Sequence, residues 1–349
     1  MEMELLQRLA EAPGMPGREE KVGEIVKEAL KGHVDEIRTD VLGNVIAQKS
    51  GGGDAPRVKV MIAAHMDEIG FFITHIDEKT GFLRIDPVGG FDPRVLIAQR
   101  VVVHSDSGDH IGVMGTKPVH VLKEEEKKKA PEIEDIFIDL GISADAVKEK
   151  VRVGDSVTLK QDLVEFGELV SCKALDDRVG IYVMIEALRK VRGHEADIYL
   201  VATTQEEVGI RGARVSSFGI APDIGIAVDV TVACDIPGVE EPRRVTRLGE
   251  GVAIKVKDSL SISNPHLVRK LKEIAEEKGI KYQMEVLPRG GTDAGALQLT
   301  REGAAAATIS IPTRYIHSVV ESAHKKDIQA AIDLLAGFLE VAHQGKYTL

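Results

Sequence analysis

Several residue types are scarce in this 349-residue sequence. Tryptophan is absent, cysteine occurs only at positions 172 and 234, and asparagine occurs only at positions 44 and 264. Two cysteines are too few for a disulfide framework, which excludes the class of small disulfide-stabilised secreted proteins. Scarce asparagine combined with abundant Glu, Lys and Arg favours a thermophile source. No run of eighteen apolar residues occurs, so the sequence predicts no membrane-spanning helix.

Two further absences concern location and partners. The first fourteen residues lack the basic start and the continuous apolar stretch of a secretory signal, so we expect a cytoplasmic protein. The formal net charge is −11, and the one dense charged run, at 123–129, mixes four Lys with three Glu. Nucleic-acid binding requires a clustered basic surface. We therefore expect neither a nucleic-acid nor a membrane partner.

An alternation of helical and strand-like segments is present, and it is interrupted once. Residues 18–31 repeat apolar side chains at helical spacing, and the apolar run at 58–64 predicts a buried strand. From 69 to 163, short β-type segments are separated by Gly, Asp and Pro, a pattern typical of a small β-rich barrel or sandwich. We predict an α/β fold with a mixed central sheet flanked by helices. Residues 1–68 plus 164–349 would form this domain, and residues 69–163 an inserted β-barrel-like domain.

Histidine and acidic residues lie at the ends of several predicted elements. They are His65 and Asp67 after the strand at 58–64, Asp176 and Asp177 just before a helix, Glu206 and Glu207 after the strand at 198–202, Asp229 after the strand at 224–228, and His317 shortly after the strand at 306–311. Each alone has a plainer explanation, such as a helix cap in the case of Asp177. Sites in open α/β sheets form at the carboxyl ends of the strands, and buried carboxylates without partners are costly. The sequence therefore predicts one shared site.

The residue types indicate a metal site. Two histidines and at least three carboxylates without cysteine suit Zn²⁺, Co²⁺ or Mn²⁺, and they exceed the three protein ligands of a single catalytic zinc. Two metals that share one carboxylate fit the number of ligands better. Residues two apart on a strand point the same way, so Asp67 can orient the His65 ring. Glu206 and Glu207 are adjacent and point apart, so one can bind metal while the other acts as general base.

Six segments of the sequence resemble the motifs of a known family. They are His65-Met66-Asp67-Glu68-Ile69-Gly70, Gly115-Thr116-Lys117-Pro118, Lys173-Ala174-Leu175-Asp176-Asp177-Arg178, Gln205-Glu206-Glu207-Val208-Gly209, Gly290-Gly291-Thr292-Asp293-Ala294 and Arg314-Tyr315-Ile316-His317-Ser318. As an ordered set they resemble the tetrahedral (TET) aminopeptidases, dinuclear metallopeptidases related to glutamyl and deblocking aminopeptidases. The resemblance extends from the first helix to the last. Leu175 stands where this family commonly has Phe, a conservative apolar change.

The resemblance implies an activity and a ligand set. The protein would be a metal-dependent aminopeptidase that hydrolyses the N-terminal residue from peptides with a free N-terminus. It would use two divalent ions per subunit, Zn²⁺ or Co²⁺. Asp176 would bridge the metals, His65 and Asp229 would complete one metal site, and Glu207 and His317 would complete the other.

The resemblance also implies two further catalytic roles and an assembly. Glu206 would be the general base that activates a water bridging the two metal ions, and Asp67 would orient a ligand. The inserted β domain would mediate dimerisation, and the dimers would assemble into a hollow, tetrahedral homododecamer.

Three other functions stay open at this point. An N-acyl amino acid deacylase or related two-metal amidohydrolase would use the same ligands on different substrates. A glycosidase would need two carboxylates flanking a sugar and no metal. A non-catalytic peptide-binding or assembly protein could have the same fold. The sequence leaves undecided the native metal and the preferred N-terminal side chain, whether acidic, basic or neutral.

Overall fold

The computed structural model describes residues 3–53 and 56–349, and within them helices and strands alternate along most of the chain. The α-helices are α1 Met3–Glu11, α2 Glu20–Leu30, α3 Ala144–Lys150, α4 Leu175–Lys190, α5 Arg211–Ile220, α6 Pro265–Lys278, α7 Ala294–Gln298 and α8 Lys325–Val341. The β-strands are β1 Glu36–Thr39, β2 Val45–Lys49, β3 Lys59–His65, β4 Gly70–Ile76, β5 Leu83–Val88, β6 Arg100–Ser105, β7 Gly108–Gly115, β8 Phe137–Asp139, β9 Ser156–Leu159, β10 Val164–Phe166, β11 Leu169–Cys172, β12 Asp197–Thr203, β13 Ile224–Val232, β14 Val252–Lys257, β15 Tyr282–Val286, β16 Ala305–Arg314 and β17 Glu321–His324. None of the described helices is long and apolar enough to cross a membrane.

A large mixed sheet forms the centre of the molecule. Its main order is β1-β2-β12-β3-β13-β16-β17-β11-β10, and β14 pairs with β16 while β15 pairs with β14. The neighbours β12, β3, β13 and β16 run parallel, so their carboxyl ends lie along one edge of the sheet. The strands on either side of these four are antiparallel to them. The predicted mixed central sheet is confirmed.

Helices cover both faces of the sheet, and the alternation of side chains on β3 explains how. Val60 and Ile62 belong to the larger hydrophobic core, which also holds buried side chains of α1, α2, α4, α6 and α8. Met61 and Ala63 point to the other face and pack with buried residues of α5 and α7. A strand buried on both faces reads as a continuous apolar run, as residues 60–64 of β3 do.

The start of α6 follows from two adjacent residues. The Asn264 side chain accepts hydrogen bonds from the backbone N–H groups of His266 and Leu267, and Pro265 occupies the first helical position. Asparagine as N-cap and proline at the first helical position are both favoured because they leave no backbone donor unsatisfied. The helix ends at Gly279, whose positive φ of 65° suits glycine.

The chain between β3 and β10 forms a separate closed barrel. Its strand order is β4-β5-β8-β7-β6-β9, with antiparallel pairing throughout. A second hydrophobic core, which includes Phe71, Val103 and Ile138, fills its interior. The predicted barrel-like insertion is confirmed as part of the fold class.

One strand is longer than the sequence pattern indicates. The prediction ended a strand at residue 228, but β13 continues to Val232 because its last residues pair in parallel with β16. Asp229 therefore lies inside a strand and not beyond its end. Its backbone is held by strand pairing, which fixes where its carboxylate points.

Candidate metal centre and active site

The predicted site residues converge at the carboxyl edge of the parallel strands. His65 ends β3, Asp229 lies within the neighbouring β13, and Asp176 precedes the regular part of α4. Glu207 follows β12, and His317 follows β16. These residues form two groups of three, His65–Asp176–Asp229 and Asp176–Glu207–His317, in each of which the potential ligand atoms lie within 4.8 Å of one another. Asp176 belongs to both groups.

The orientation of the His65 ring is informative. Its Nδ1 lies 3.0 Å from the backbone carbonyl oxygen of Asp67, which can only accept a hydrogen bond, so Nδ1 carries a proton. Its Nε2 lies 3.0 Å from the carboxylate Oδ1 of Asp176. In a neutral imidazole, Nε2 then turns a lone pair towards a carboxylate, so the contact needs positive charge at this point, from a proton on Nε2 or from a metal ion. Metal-binding histidines typically donate their other ring N–H to a carbonyl or carboxylate in this way.

The second group has similar spacing. His317 Nε2 lies 3.1 Å from Glu207 Oε1 and 3.5 Å from Asp176 Oδ2. Two donors that each lie about 2 Å from a tetrahedral zinc ion are about 3.3 Å apart. The separations of 3.0 to 3.5 Å among these histidines and carboxylates therefore fit donors that share a cation.

The electrostatics of the cluster also fit bound cations. Burial, followed by the negative charge of Asp176, raises the pKa of Asp229 well above its usual range. Burial likewise raises the pKa of Glu207, although a hydrogen bond with His317 opposes this. Burial alone would lower the pKa of His317, but its contacts with Asp176 and Glu207 raise that pKa to about 12. Buried carboxylates in this arrangement need positive charge, and divalent ions would supply it in place of protons.

Asp67 lies just past the end of β3, and its carboxylate mainly holds the loop that carries the two glutamates. Its Oδ1 accepts a hydrogen bond from the backbone N–H of Glu206 at 2.9 Å, and its Oδ2 accepts one from Glu207 at 3.0 Å. The same Oδ1 is 3.5 Å from His65 Nδ1. The carbonyl of Asp67 is thus closer to the imidazole than its carboxylate is. Glu206 lines the cavity next to the ligand atoms but belongs to neither group of three.

Asp177 has the capping contact that the sequence suggested. Its Oδ1 accepts a hydrogen bond from the N–H of Gly180, and its Oδ2 accepts one from the N–H of His65. The peptide bond between Asp176 and Asp177 is cis. Asp177 therefore joins the start of α4 to the end of β3, while its neighbour faces the cluster.

Glu321 is a buried residue of the site that the sequence did not reveal. Its Oε2 accepts a hydrogen bond from the backbone N–H of Asp176 at 2.9 Å, and its Oε1 accepts one from the backbone N–H of His317 at 2.7 Å. Burial, followed by the charge of Asp176, raises the pKa of Glu321 to about 8. The only signal for it in the sequence is a lone carboxylate in the short strand β17, among small residues.

Buried charged side chains hold the segment that follows β3. Lys173 Nζ lies 2.8 Å from both carboxylate oxygens of Glu68. Arg178 is fully buried and donates through Nε to the carbonyl of Met66 and through Nη1 to the carbonyl of Leu9 in α1. These bonds satisfy buried charges and tie the segment after β3 to the helices beneath it.

The barrel also approaches the cluster, through a pair of glycines after β5. A Cβ added to Gly90 would lie 3.5 Å from Nδ1 of His317, and one added to Gly89 would lie 3.4 Å from Oε2 of Glu207. Gly89 has a positive φ of 87°, a conformation that favours glycine. No local sequence pattern indicates this contact, because it joins segments more than a hundred residues apart.

A cavity of about 620 Å³ opens directly onto the cluster. Val230, Ala233 and Ile236 contribute apolar lining from β13 and the segment that follows it. Lys255 lines the cavity as well, and its buried Nζ lies 3.1 Å from Glu285 Oε1. The cavity is thus a mainly apolar pocket with the titratable cluster at one end, which is the usual form of a small-ligand site.

Known proteins resemble this chain along nearly its whole length. The profile of the M42 glutamyl aminopeptidase family matches residues 43–334. A lysyl aminopeptidase of Pyrococcus furiosus is 42% identical over 347 residues, covering 97% of this chain and 97% of that protein. An aminopeptidase from the archaeon Desulfurococcus kamchatkensis has a solved structure with a TM-score of 0.93 and 43% identity, covering 99% of this chain and 98% of that one.

A further solved structure is that of the Pyrococcus horikoshii TET1 peptidase, which can assemble into a tetrahedron or a large octahedral shell. It matches with a TM-score of 0.85 and 33% identity, covering 97% of this chain and 98% of that one. The family profile covers most of the chain, and the relatives match it almost end to end. The chain therefore belongs to the M42 glutamyl aminopeptidase family, and it is a metal-dependent aminopeptidase.

Proposed function

We propose that this aminopeptidase holds two divalent metal ions per subunit and that Asp176 bridges them. His65 and Asp229 would complete one metal site, and Glu207 and His317 the other. The observation that carries the proposal is the pair of three-residue donor groups that share Asp176. Each group offers imidazole nitrogen and carboxylate oxygen without sulfur, a donor set that suits Zn²⁺ or Co²⁺. We propose one of these as the native ion.

When bound, the two ions would polarise the first peptide carbonyl, activate a water and bind the free α-amine of the substrate. The protein would supply the proton transfers. Glu206 lines the cavity beside the ligand groups without joining them, so its carboxylate is free to take a proton from the attacking water. The same carboxyl group would then protonate the leaving amine. Asp67 would position both glutamates through the backbone hydrogen bonds that it accepts.

The requirement for a free N-terminus distinguishes this proposal from the deacylase alternative. A deacylase of N-acyl amino acids would use the same ligands but would bind an acylated nitrogen. The membership of the chain in an aminopeptidase family does not favour that alternative. We therefore propose peptides with a free N-terminus as the substrates, without a choice among acidic, basic and neutral N-terminal residues.

For the assembly, we propose that residues 69–163 act as a dimerisation domain and that dimers form a homododecamer. The barrel exposes apolar side chains that a second copy could cover, among them Ile111, Val113, Val119 and Val121. Contiguous exposed apolar surface is typical of interaction sites. Twelve copies of a 37.8-kDa chain would have a mass of about 454 kDa, which light scattering can measure. A cytoplasmic location and a thermophile source stay predictions from the sequence.

The decisive experiment combines metal removal with a substrate panel. The protein is dialysed against a chelator, and hydrolysis of aminoacyl p-nitroanilides is measured before and after Zn²⁺, Co²⁺ or Mn²⁺ is restored. We expect activity to fall to background and to return with about two ions bound per subunit, counted by plasma mass spectrometry. N-acetylated versions of the same substrates are the control and should resist hydrolysis. Activity that survives chelation, or a preference for the acetylated substrates, would reject the proposal.

A further inference from the structure

A second groove adjoins the active-site cavity. It has a volume of about 690 Å³ and shares Tyr315, Ile316 and His317 with that cavity, while the rest of its lining is different. One wall comes from the barrel segment between β5 and β6 and includes Phe91, Val95 and Ile97. The other wall comes from the segment between β16 and β17. Because His317 lines both spaces, the groove borders the proposed metal site.

The walls of the groove are mainly apolar and partly exposed. Val95 is 36% exposed and Val320 is 47% exposed, so both present apolar surface to the groove and to solvent. The charged residues at its rim, Asp92 and Arg94, pair with each other through two hydrogen bonds from the guanidinium Nε and one from Nη2. The groove therefore offers apolar contact without an unpaired charge from these two residues.

The groove is also held in place relative to the cluster. The Phe91 ring stacks on Phe71 of the barrel core, with centroids 4.4 Å apart. The preceding residue, Gly90, comes so close to His317 that an added Cβ would lie 3.5 Å from its Nδ1. A barrel residue that is packed into a core thus fixes one wall next to a proposed ligand. A preformed wall binds a side chain without having to be ordered first.

The two spaces differ in a way that fits the two sides of a scissile bond. The active-site cavity is lined by every proposed ligand, including Asp229 of the buried strand β13, whereas the groove is lined by His317 alone among them. An aminopeptidase must enclose one residue before the scissile bond, whereas the remainder of the peptide must lead to solvent. The groove along Val95 and Val320 leads to the surface.

We propose that this groove binds the side chain of the substrate's second residue, the first residue of the leaving peptide, and that the enzyme selects apolar residues there. This inference rests on the proposed function of the metal cluster. It commits to a peptide as the occupant because the groove borders the site at His317, a proposed metal ligand that lines both spaces. Burying one apolar side chain in such a groove should favour a leucine over a glycine or aspartate by roughly 10-fold in kcat/KM.

The first test uses tripeptides that differ only in the second residue, with the best N-terminal residue from the substrate panel and a C-terminal glycine. The amide of the same N-terminal residue is the reference, because it has no side chain after the scissile bond. We expect leucine or phenylalanine at the second position to exceed glycine, aspartate and lysine by about 10-fold. Equal rates across the series would overturn the inference while leaving the proposed function standing, whereas no hydrolysis even of the amide would overturn the proposed function.

The second test places one charge on each wall, with the variants Val95→Asp and Val320→Asp. In each, the ratio of kcat/KM for leucine to that for lysine at the second position should fall by about 10-fold. An apolar side chain would take the new carboxylate out of water at a cost in free energy, whereas the ammonium group of lysine would pair with it. A general folding defect would lower both rates and leave this ratio unchanged. Val215→Asp, at an exposed position on α5, is the matched control and should keep the wild-type ratio.

Light scattering measures the mass of the assembly formed by the same variants, and so tests whether a second copy of the chain, instead of a peptide, occupies the groove. If Val95→Asp or Val320→Asp changes the mass of the assembly and not the ratio for the second residue, the groove is a subunit contact and the inference is wrong. An unchanged mass together with a changed ratio supports the peptide as its occupant.

Discussion

The large sheet and the barrel differ in how their strands are buried, and this difference decides what each can contribute to the site. Every residue of β13 except Val232 is buried, whereas β7 of the barrel alternates between buried and exposed residues along half its length. A charged side chain in a strand buried on both faces must find a partner, since an unpaired buried charge is costly. Asp229 of β13 lies at the sheet edge among the other proposed ligands, where a bound metal ion would be that partner.

The barrel contributes shape to the site and none of the proposed ligands. Its own core is separate, and it reaches the cluster through the backbone of Gly89 and Gly90 and through the apolar wall at Phe91. The comparison teaches that the proposed ligands and the barrel wall of the proposed second-residue groove come from separate parts of this protein. Substitutions in the sheet region should therefore change turnover strongly. Substitutions in the barrel should change turnover less, and least in the barrel interior.

The largest effect should come from Glu206→Gln. Glutamine keeps the shape of the side chain but cannot accept and return a proton, so we expect kcat to fall by roughly 10² to 10⁴-fold. The metal content should stay at the wild-type value, because Glu206 belongs to neither ligand group. Stopped assays with a p-nitroanilide and metal analysis measure the two quantities.

Glu207→Gln is the matched control for this experiment. It changes the neighbouring residue in the same way, but we expect it to lose metal as well as activity. Full turnover by the Glu206→Gln enzyme, or equal metal loss in both variants, would show that the two roles are assigned incorrectly.

Asp67→Asn should have the next largest effect. The carboxylate accepts hydrogen bonds from the N–H groups of both Glu206 and Glu207, whereas asparagine has only one oxygen to accept with. One of the two glutamates then loses its support, and changes in such supporting residues typically cost about 10- to 100-fold in metal affinity or activity. Titration of the apoprotein with zinc, followed by kinetics, would measure the loss. Wild-type values for both would contradict the positioning role.

The sequence predicted the fold class from local patterns, and the same patterns put histidine and acidic residues at the ends of the predicted strands. An apolar run at 60–64 that is followed by His65 and Asp67 is visible without any knowledge of the tertiary structure. The two supports of the site that were missed, Glu321 and Gly89, depend on contacts across large sequence separations. Glu321 bonds to the backbone of Asp176, 145 positions away, and no local pattern encodes that contact. Strand pairing likewise extended β13 past Asp229.

In the barrel, Gly89→Ala should have a moderate effect on turnover. Its positive φ disfavours alanine, and an added Cβ would overlap Cγ2 of Ile69 and approach Glu207 Oε2 to 3.4 Å. We expect strain of about 1–3 kcal/mol. A shift of 1 Å in a catalytic group can cost about 100-fold, so the smaller shift expected here should lower kcat/KM by roughly 10-fold.

The adjacent Gly90→Ala is the control for this prediction. Its added Cβ would make ordinary contact with His317 at 3.5 Å and would need no unusual φ. Activity should therefore stay close to that of the wild type. Equal losses from both glycines would mean that any side chain in this loop disturbs the site, and that the conformation of Gly89 is not the cause.

The smallest effect on turnover should come from Ile138→Ala, in the interior of the barrel. Ile138 is fully buried in the barrel core, so its truncation should lower the free energy of unfolding by about 2–5 kcal/mol. Ile226→Ala makes the same change in β13, within three residues of Asp229, and should cost a similar amount. At a temperature where both variants are folded, however, Ile138→Ala should keep kcat within about twofold of the wild type, because a cavity there need not move the proposed ligands. Ile226→Ala should lower kcat more, since a collapsing cavity beneath β13 shifts the backbone that holds Asp229.

Thermal unfolding followed by circular dichroism, together with kcat measured at 25 °C, provides the comparison. If the barrel variant loses as much turnover as the sheet variant at equal loss of stability, then the barrel positions the catalytic groups as firmly as the sheet does, and the separation of chemistry from shape does not hold.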